Sequence, residues 1–106
     1  MSATASSISQ GFPGGDSAVL GIYNAQVIKP APGILVCVLV VTPGSSGNLT
    51  INDCANVGDA TSANQIDTFA AASLTPGQPI KLDWPCTNGI TLSSVPSGSQ
   101  FSVTYS

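Results

Sequence analysis

The chain predicts an all-β fold: a single antiparallel β-sandwich, jelly-roll-like in its run of short strands, with an extended N-terminal arm. Three observations predict it. Apolar and polar residues alternate with a period of two in several separate segments, the pattern a sheet with one dry face demands. Clusters of Pro, Gly, Ser and Asn interrupt the apolar segments at short, regular intervals. No stretch repeats its apolar residues at the three- and four-residue spacing of a helix. With 106 residues, the chain has room for one domain and one modest core.

Residues 1–18 are small and polar, with Gly11-Phe12-Pro13-Gly14-Gly15 as a hinge-like cluster, and read as the arm. Fifteen extended residues span about 50 Å, enough to reach a neighbouring molecule. Phe12 and Pro13 are the arm's candidate contact residues. The sandwich is expected over 19–106. Val19 to Lys29 is its first strand region, ended by Pro30-Ala-Pro-Gly33. The run Ile34 to Val41 is apolar at every position, which predicts a central strand covered on both faces. Thr42 to Gly47 is a turn, because glycine supplies positive φ and proline stops a ladder.

Leu49 and Ile51 alternate with Thr50 and Asn52 as a half-buried strand, and residues 52–64 form a polar loop. Residues 66–72 read as a strand or a brief helix, ended by Thr75-Pro-Gly77. Alternation then becomes clean. Ile80, Leu82 and Trp84 oppose Lys81 and Asp83; Ile90 and Leu92 oppose Thr91 and Ser93; Phe101, Val103 and Tyr105 oppose Ser102 and Thr104. About seven strands result.

Composition excludes several functions. Charged residues make up 7% of the chain, against about 25% in average globular proteins, while 42% are hydrophobic, far from the profile of a disordered chain. Histidine, glutamate and arginine are absent. The acids are Asp16, Asp53, Asp59, Asp67 and Asp83, and the bases Lys29 and Lys81. Nucleophilic serine or cysteine needs an activating base, and paired aspartates need one acid raised by burial; no segment arranges either. No enzymatic activity is therefore expected. The net charge of −3 and two lysines give no basic patch for nucleic acid. The apolar run 34–41 is far short of the ~20 residues of a spanning helix, and the first residues lack the basic-then-apolar form of a secretory signal.

Cys37, Cys54 and Cys86 are widely spaced, with no CxxC and no histidine to complete a zinc site. Cys37, inside the apolar run, reads as a buried free thiol. Cys54 and Cys86 fall at strand ends and are either a bonded pair or, as in a reducing cytosol, free. Asn48, Asn52, Asp53, Asn56 and Asp59 cluster around one loop, as oxygen ligands of calcium do. Their spacing is not that of an EF-hand, and Asn, Asp and Gly also form loops for conformational reasons alone. No metal or cofactor is expected. Asp83-Trp84-Pro85-Cys86 is the most unusual tetrapeptide. Trp84 beside Pro85 is an anchor in the core or at an interface, or else a platform for a sugar.

The segment from Val27 to Ser106 resembles a group of short bacteriophage virion-associated proteins. The resemblance rests on Val27-Ile-Lys-Pro-Ala-Pro-Gly33-Ile-Leu, the alternating valines that follow, Gly47-Asn-Leu-Thr-Ile-Asn-Asp53, Leu82-Asp-Trp-Pro-Cys-Thr-Asn-Gly89-Ile, and Phe101-Ser-Val-Thr-Tyr105. It implies a capsid cement or decoration protein, made in the host cytoplasm and carried on the virion. Such a protein sits on the capsid surface as a dimer or trimer, binds the major capsid protein and locks neighbouring subunits together. Its motifs are structural, so no catalytic residue comes with it. Two other roles compete: a head-fibre or tail accessory, and a carbohydrate-binding β-sandwich built on Trp84. Trp84, Pro85, Phe12 and Pro13 are the candidate interaction residues.

Overall fold

A computed structural model describes residues 17–106 as an all-β domain of two four-stranded antiparallel sheets. The strands are β1 (Ser17–Ile22), β2 (Gln26–Lys29), β3 (Gly33–Thr42), β4 (Asn48–Asn52), β5 (Gln65–Ala70), β6 (Pro79–Cys86), β7 (Ile90–Ser94) and β8 (Gln100–Tyr105). One sheet has the order β1-β8-β3-β6 and the other β2-β7-β4-β5. The strands pair as nested ribbons: β1 with β8, β2 with β7, β3 with β6 and β4 with β5. The pairings β3–β8 and β4–β7 then join the ribbons into sheets.

The core lies between the two sheets. Leu35, Val38, Val40, Ile80, Phe101 and Val103 meet Ile28, Leu49, Ile51, Ile90 and Leu92 across it. Outside β3 these are the inward positions that the period of two selects; within β3 an irregularity at Val36 puts Leu35 on the same face as Val38 and Val40. Each such side chain contributes about 1.5–3 kcal/mol by leaving water, and together they hold two sheets that share no backbone ladder.

Several expectations change on contact with the fold. The region 19–29 is two strands in different sheets, parted by Tyr23–Ala25. Gly21, at φ +66°, lets β1 bulge so that Val19 faces Val103 and Ile22 faces Phe101. Segment 66–72 is both alternatives at once: β5 runs straight into a 3-10 turn, Ala71–Ser73. The polar loop carries a second such turn, Val57–Asp59.

The run 34–41 is central, between β8 and β6, but only its inner face is covered. Ile34, Leu39 and Val41 remain 45%, 41% and 42% exposed. Cys37 shares that outer face, opposite Lys81 and Thr104, and is half-buried rather than buried. The proposed arm, with Phe12 and Pro13, lies outside the described residues apart from Ser17 and Ala18, which already belong to β1. Among the described residues no helix is long and apolar enough to cross a membrane.

Candidate functional site

Trp84 and Pro85 lie near the end of β6, an edge strand. One residue of β3, Val36, opposes two of β6, Leu82 and Asp83, and Asp83 takes the left-handed conformation at φ +49°. Aspartate tolerates that conformation better than most residues. The bulge brings Trp84 into register with Leu35, which is fully buried. Trp84 is on the same face but at the open margin, and 49% of its surface stays exposed. It is therefore not a core anchor.

Beside the ring is an open cleft of about 420 Å3. It lies between the edge strands of the two sheets. Trp84 of β6 forms one wall, Gln65 and Ile66 of β5 another, and Asp53, Ala63, Asn64, Thr87 and Asn88 complete it. Pro85 is exposed and does not line it.

The floor is organised by Asp53. Its Oδ2 accepts from the Thr87 backbone N–H at 3.0 Å and the Thr87 hydroxyl at 3.1 Å. Its Oδ1 accepts from the N–H groups of Asn88 at 2.8 Å and Gly89 at 3.2 Å. Burial alone would raise this carboxyl; the three backbone N–H groups and the hydroxyl outweigh it and hold its pKa below the ordinary value. Gly89 has no room for a side chain, since a Cβ there would fall 2.5 Å from the Cys54 carbonyl oxygen and 2.8 Å from that of Lys29. The turn Thr87–Gly89 is thus clamped to the end of β4 from both sides.

The loop after β4 is equally fixed. Asp53 N–H donates to Asn64 O at its neck. The Asn52 amide, almost fully buried, donates to Thr61 O and to Asn64 Oδ1 and accepts from the Ser93 hydroxyl. Asn56 donates to Asp59 Oδ2 at 3.1 Å. The oxygen-rich residues singled out as calcium ligands are thus engaged in holding this loop. Asn48 lies apart from them on the strand, paired with Ala70. Among the described residues no group of three or more Cys and Asp side chains could hold a metal ion.

All three cysteines are free thiols. The Cys86 thiol is pushed up to about 11 by burial, with the Asp53 charge adding to it. Burial also raises Cys37, against a backbone hydrogen bond from Ile80 and the nearby Lys81 charge. Neither environment makes a nucleophile, which needs a depressed thiol pKa.

Of the residues singled out from sequence, the cleft uses Trp84 and gives Asp53 a structural task. Gln65, Asn64 and Asn88 were missed, because nothing local marks them: Asp53 and Thr87 meet across 34 positions of chain. No family model matches this chain, and no curated protein or solved structure is similar to it.

Proposed function

We propose that the chain is a non-catalytic structural protein of a bacteriophage virion, a decoration or cement subunit. It binds the outside of the head, contacts the major capsid protein and, as a dimer or trimer, stabilises contacts between capsid subunits. The fold this reading takes is a jelly roll. The nested pairing of β1 with β8, β2 with β7, β3 with β6 and β4 with β5 supports it, since that is the wiring of one long ribbon rolled on itself. Viral capsid domains, lectins and cupins share this architecture, so wiring alone does not choose among them.

The observation that carries the choice is the outer face of the β1-β8-β3-β6 sheet. Leu20, Ile34, Leu39 and Val41 are exposed there, between 41% and 75%. Lys81 and Asp83, both on the edge strand β6, are the sheet's sole charged residues. A soluble domain acting alone rarely leaves a sheet face this apolar and uncharged. A face of this kind packs against protein without stripping water from ions. On a lattice, many weak copies of such a contact add up. Metal-dependent chemistry on the same scaffold would call for imidazole or clustered carboxylate ligands, and the chain has no histidine.

The test is cosedimentation of the purified protein with shells that lack it, alongside light scattering for its own oligomeric state. Saturable binding at fixed stoichiometry, lost in Leu39→Lys/Val41→Lys, supports the reading. Binding to tails instead of heads moves the protein to the accessory role. No binding to either refutes a virion function.

A further inference from the structure

The Trp84 cleft has a composition that capsid contact does not require. We infer that it is a binding site for a neutral saccharide, held by the Trp84 ring and the side-chain amides of Gln65 and Asn88. This goes beyond the structural role and stands independently of it.

Four observations carry the inference. The indole is half exposed at the cleft wall, so an apolar ligand face can stack on it without displacing protein. Gln65 and Asn88 line the same cleft, and their side chains make no hydrogen bond to any described residue, unlike those of Asn52, Asn56 and Asn64, which are engaged. Each amide offers a donor and an acceptor side by side, the complement of neighbouring hydroxyl groups. The volume, about 420 Å3, is within the range of small-ligand sites.

Charge narrows the ligand class. No lysine lines the cleft, and its one ionised group, Asp53, disfavours an anion. Nor is Asp53 free to hold a cation, because both its oxygens already accept from the 87–89 turn. What remains is a ligand with one apolar face and several neutral hydroxyls. The floor is also pre-organised. Asp53 and the close packing of Gly89 fix the turn that presents Asn88, so little ordering cost falls on binding.

Trp84 is the chain's one tryptophan, so tryptophan emission, excited selectively over the two tyrosines, reads this site alone. The experiment titrates the full chain with maltotriose, cellotriose, tri-N-acetylchitotriose and mannotriose, with sialyllactose as an anionic comparison. Calorimetry follows on the best of them. A saturable emission change is expected with at least one neutral trisaccharide, at a dissociation constant of about 0.1–5 mM, and a weaker one with sialyllactose. Gln65→Ala and Asn88→Ala should each weaken binding about five- to tenfold. Trp84→Ala should abolish the calorimetric signal and Trp84→Phe retain part of it; circular dichroism checks that each variant is folded. No saturable change with any of the neutral sugars up to about 10 mM overturns the inference. So does binding that survives Trp84→Ala unchanged. Neither result bears on shell binding.

Discussion

Asp53→Ala tests the internal logic of the site most directly. The carboxylate accepts four hydrogen bonds, three from consecutive backbone N–H groups of residues 87–89 and one from the Thr87 hydroxyl. Removing it strands these donors unequally. The Gly89 N–H is partly buried, and leaving it unpaired costs about 1–3 kcal/mol. The Thr87 and Asn88 groups are exposed and exchange the carboxylate for water, at about 1 kcal/mol together after screening. The total is about 2–4 kcal/mol. For a domain of this size that corresponds to a fall in Tm of about 10–25 °C.

Thermal and urea unfolding at pH 7 measure the effect, and acid distinguishes its origin. The folded pKa of Asp53 is depressed, so its contribution is fully present above the unfolded value near 3.9. It is lost as pH falls from there through the folded value. The gap between wild type and Asp53→Asn should therefore be constant from pH 5 to 8 and close on acidification below about pH 4. A Tm for Asp53→Ala within 2 °C of wild type, or a gap that persists unchanged at pH 2, would refute the clamp.

Three further outcomes follow from the packing. Gly89→Ala forces a Cβ against two backbone carbonyls that have no side-chain freedom to yield, and should cost about 1–3 kcal/mol in urea unfolding. Thiol titration of the native protein at pH 7.5 should find Cys37 reacting slowly, faster as pH rises, because its pKa is raised; Cys54 and Cys86 are buried and should react only in denaturant. Leu39→Lys and Val41→Lys, on the exposed outer face, should leave Tm within about 4 °C of wild type, since surface changes away from packed features cost within about ±0.5 kcal/mol.

Local patterns were legible in the sequence where a single strand decides them. Leu49 and Ile51, Ile90 and Leu92, and Phe101 and Val103 are all fully buried, as their alternation requires. The split of 19–29 was not legible, because which sheet a strand joins is set by partners far along the chain: β1 pairs with β8, and β2 with β7. The all-apolar run 34–41 was misread for a different reason. A strand can be apolar outward because something covers it or because that face is left open, and composition is the same in both cases. The cleft was the least legible part. Trp84 stood out by rarity, whereas Gln65, Asn64 and Asn88 acquire a shared location solely from the folding of β5, β6 and the 87–89 turn.

Irregularity in the ladders explains why the cleft exists at all. Each of the six strand pairings carries a register shift. Bulges bend and twist a strand, which short ribbons need in order to wrap a core. Two of these shifts flank the cleft: Val36 against Leu82 and Asp83 on β6, and Ile66 on β5. Both strands are sheet edges, so neither has an outer neighbour to continue the core beyond it. Trp84, in step with buried Leu35, thus sits at the margin of the core with half its surface open. Deletion of Asp83 would pair Leu82 alone with Val36 and leave Trp84 opposite Leu35, so it removes the bulge and its left-handed residue while keeping the indole in step with Leu35.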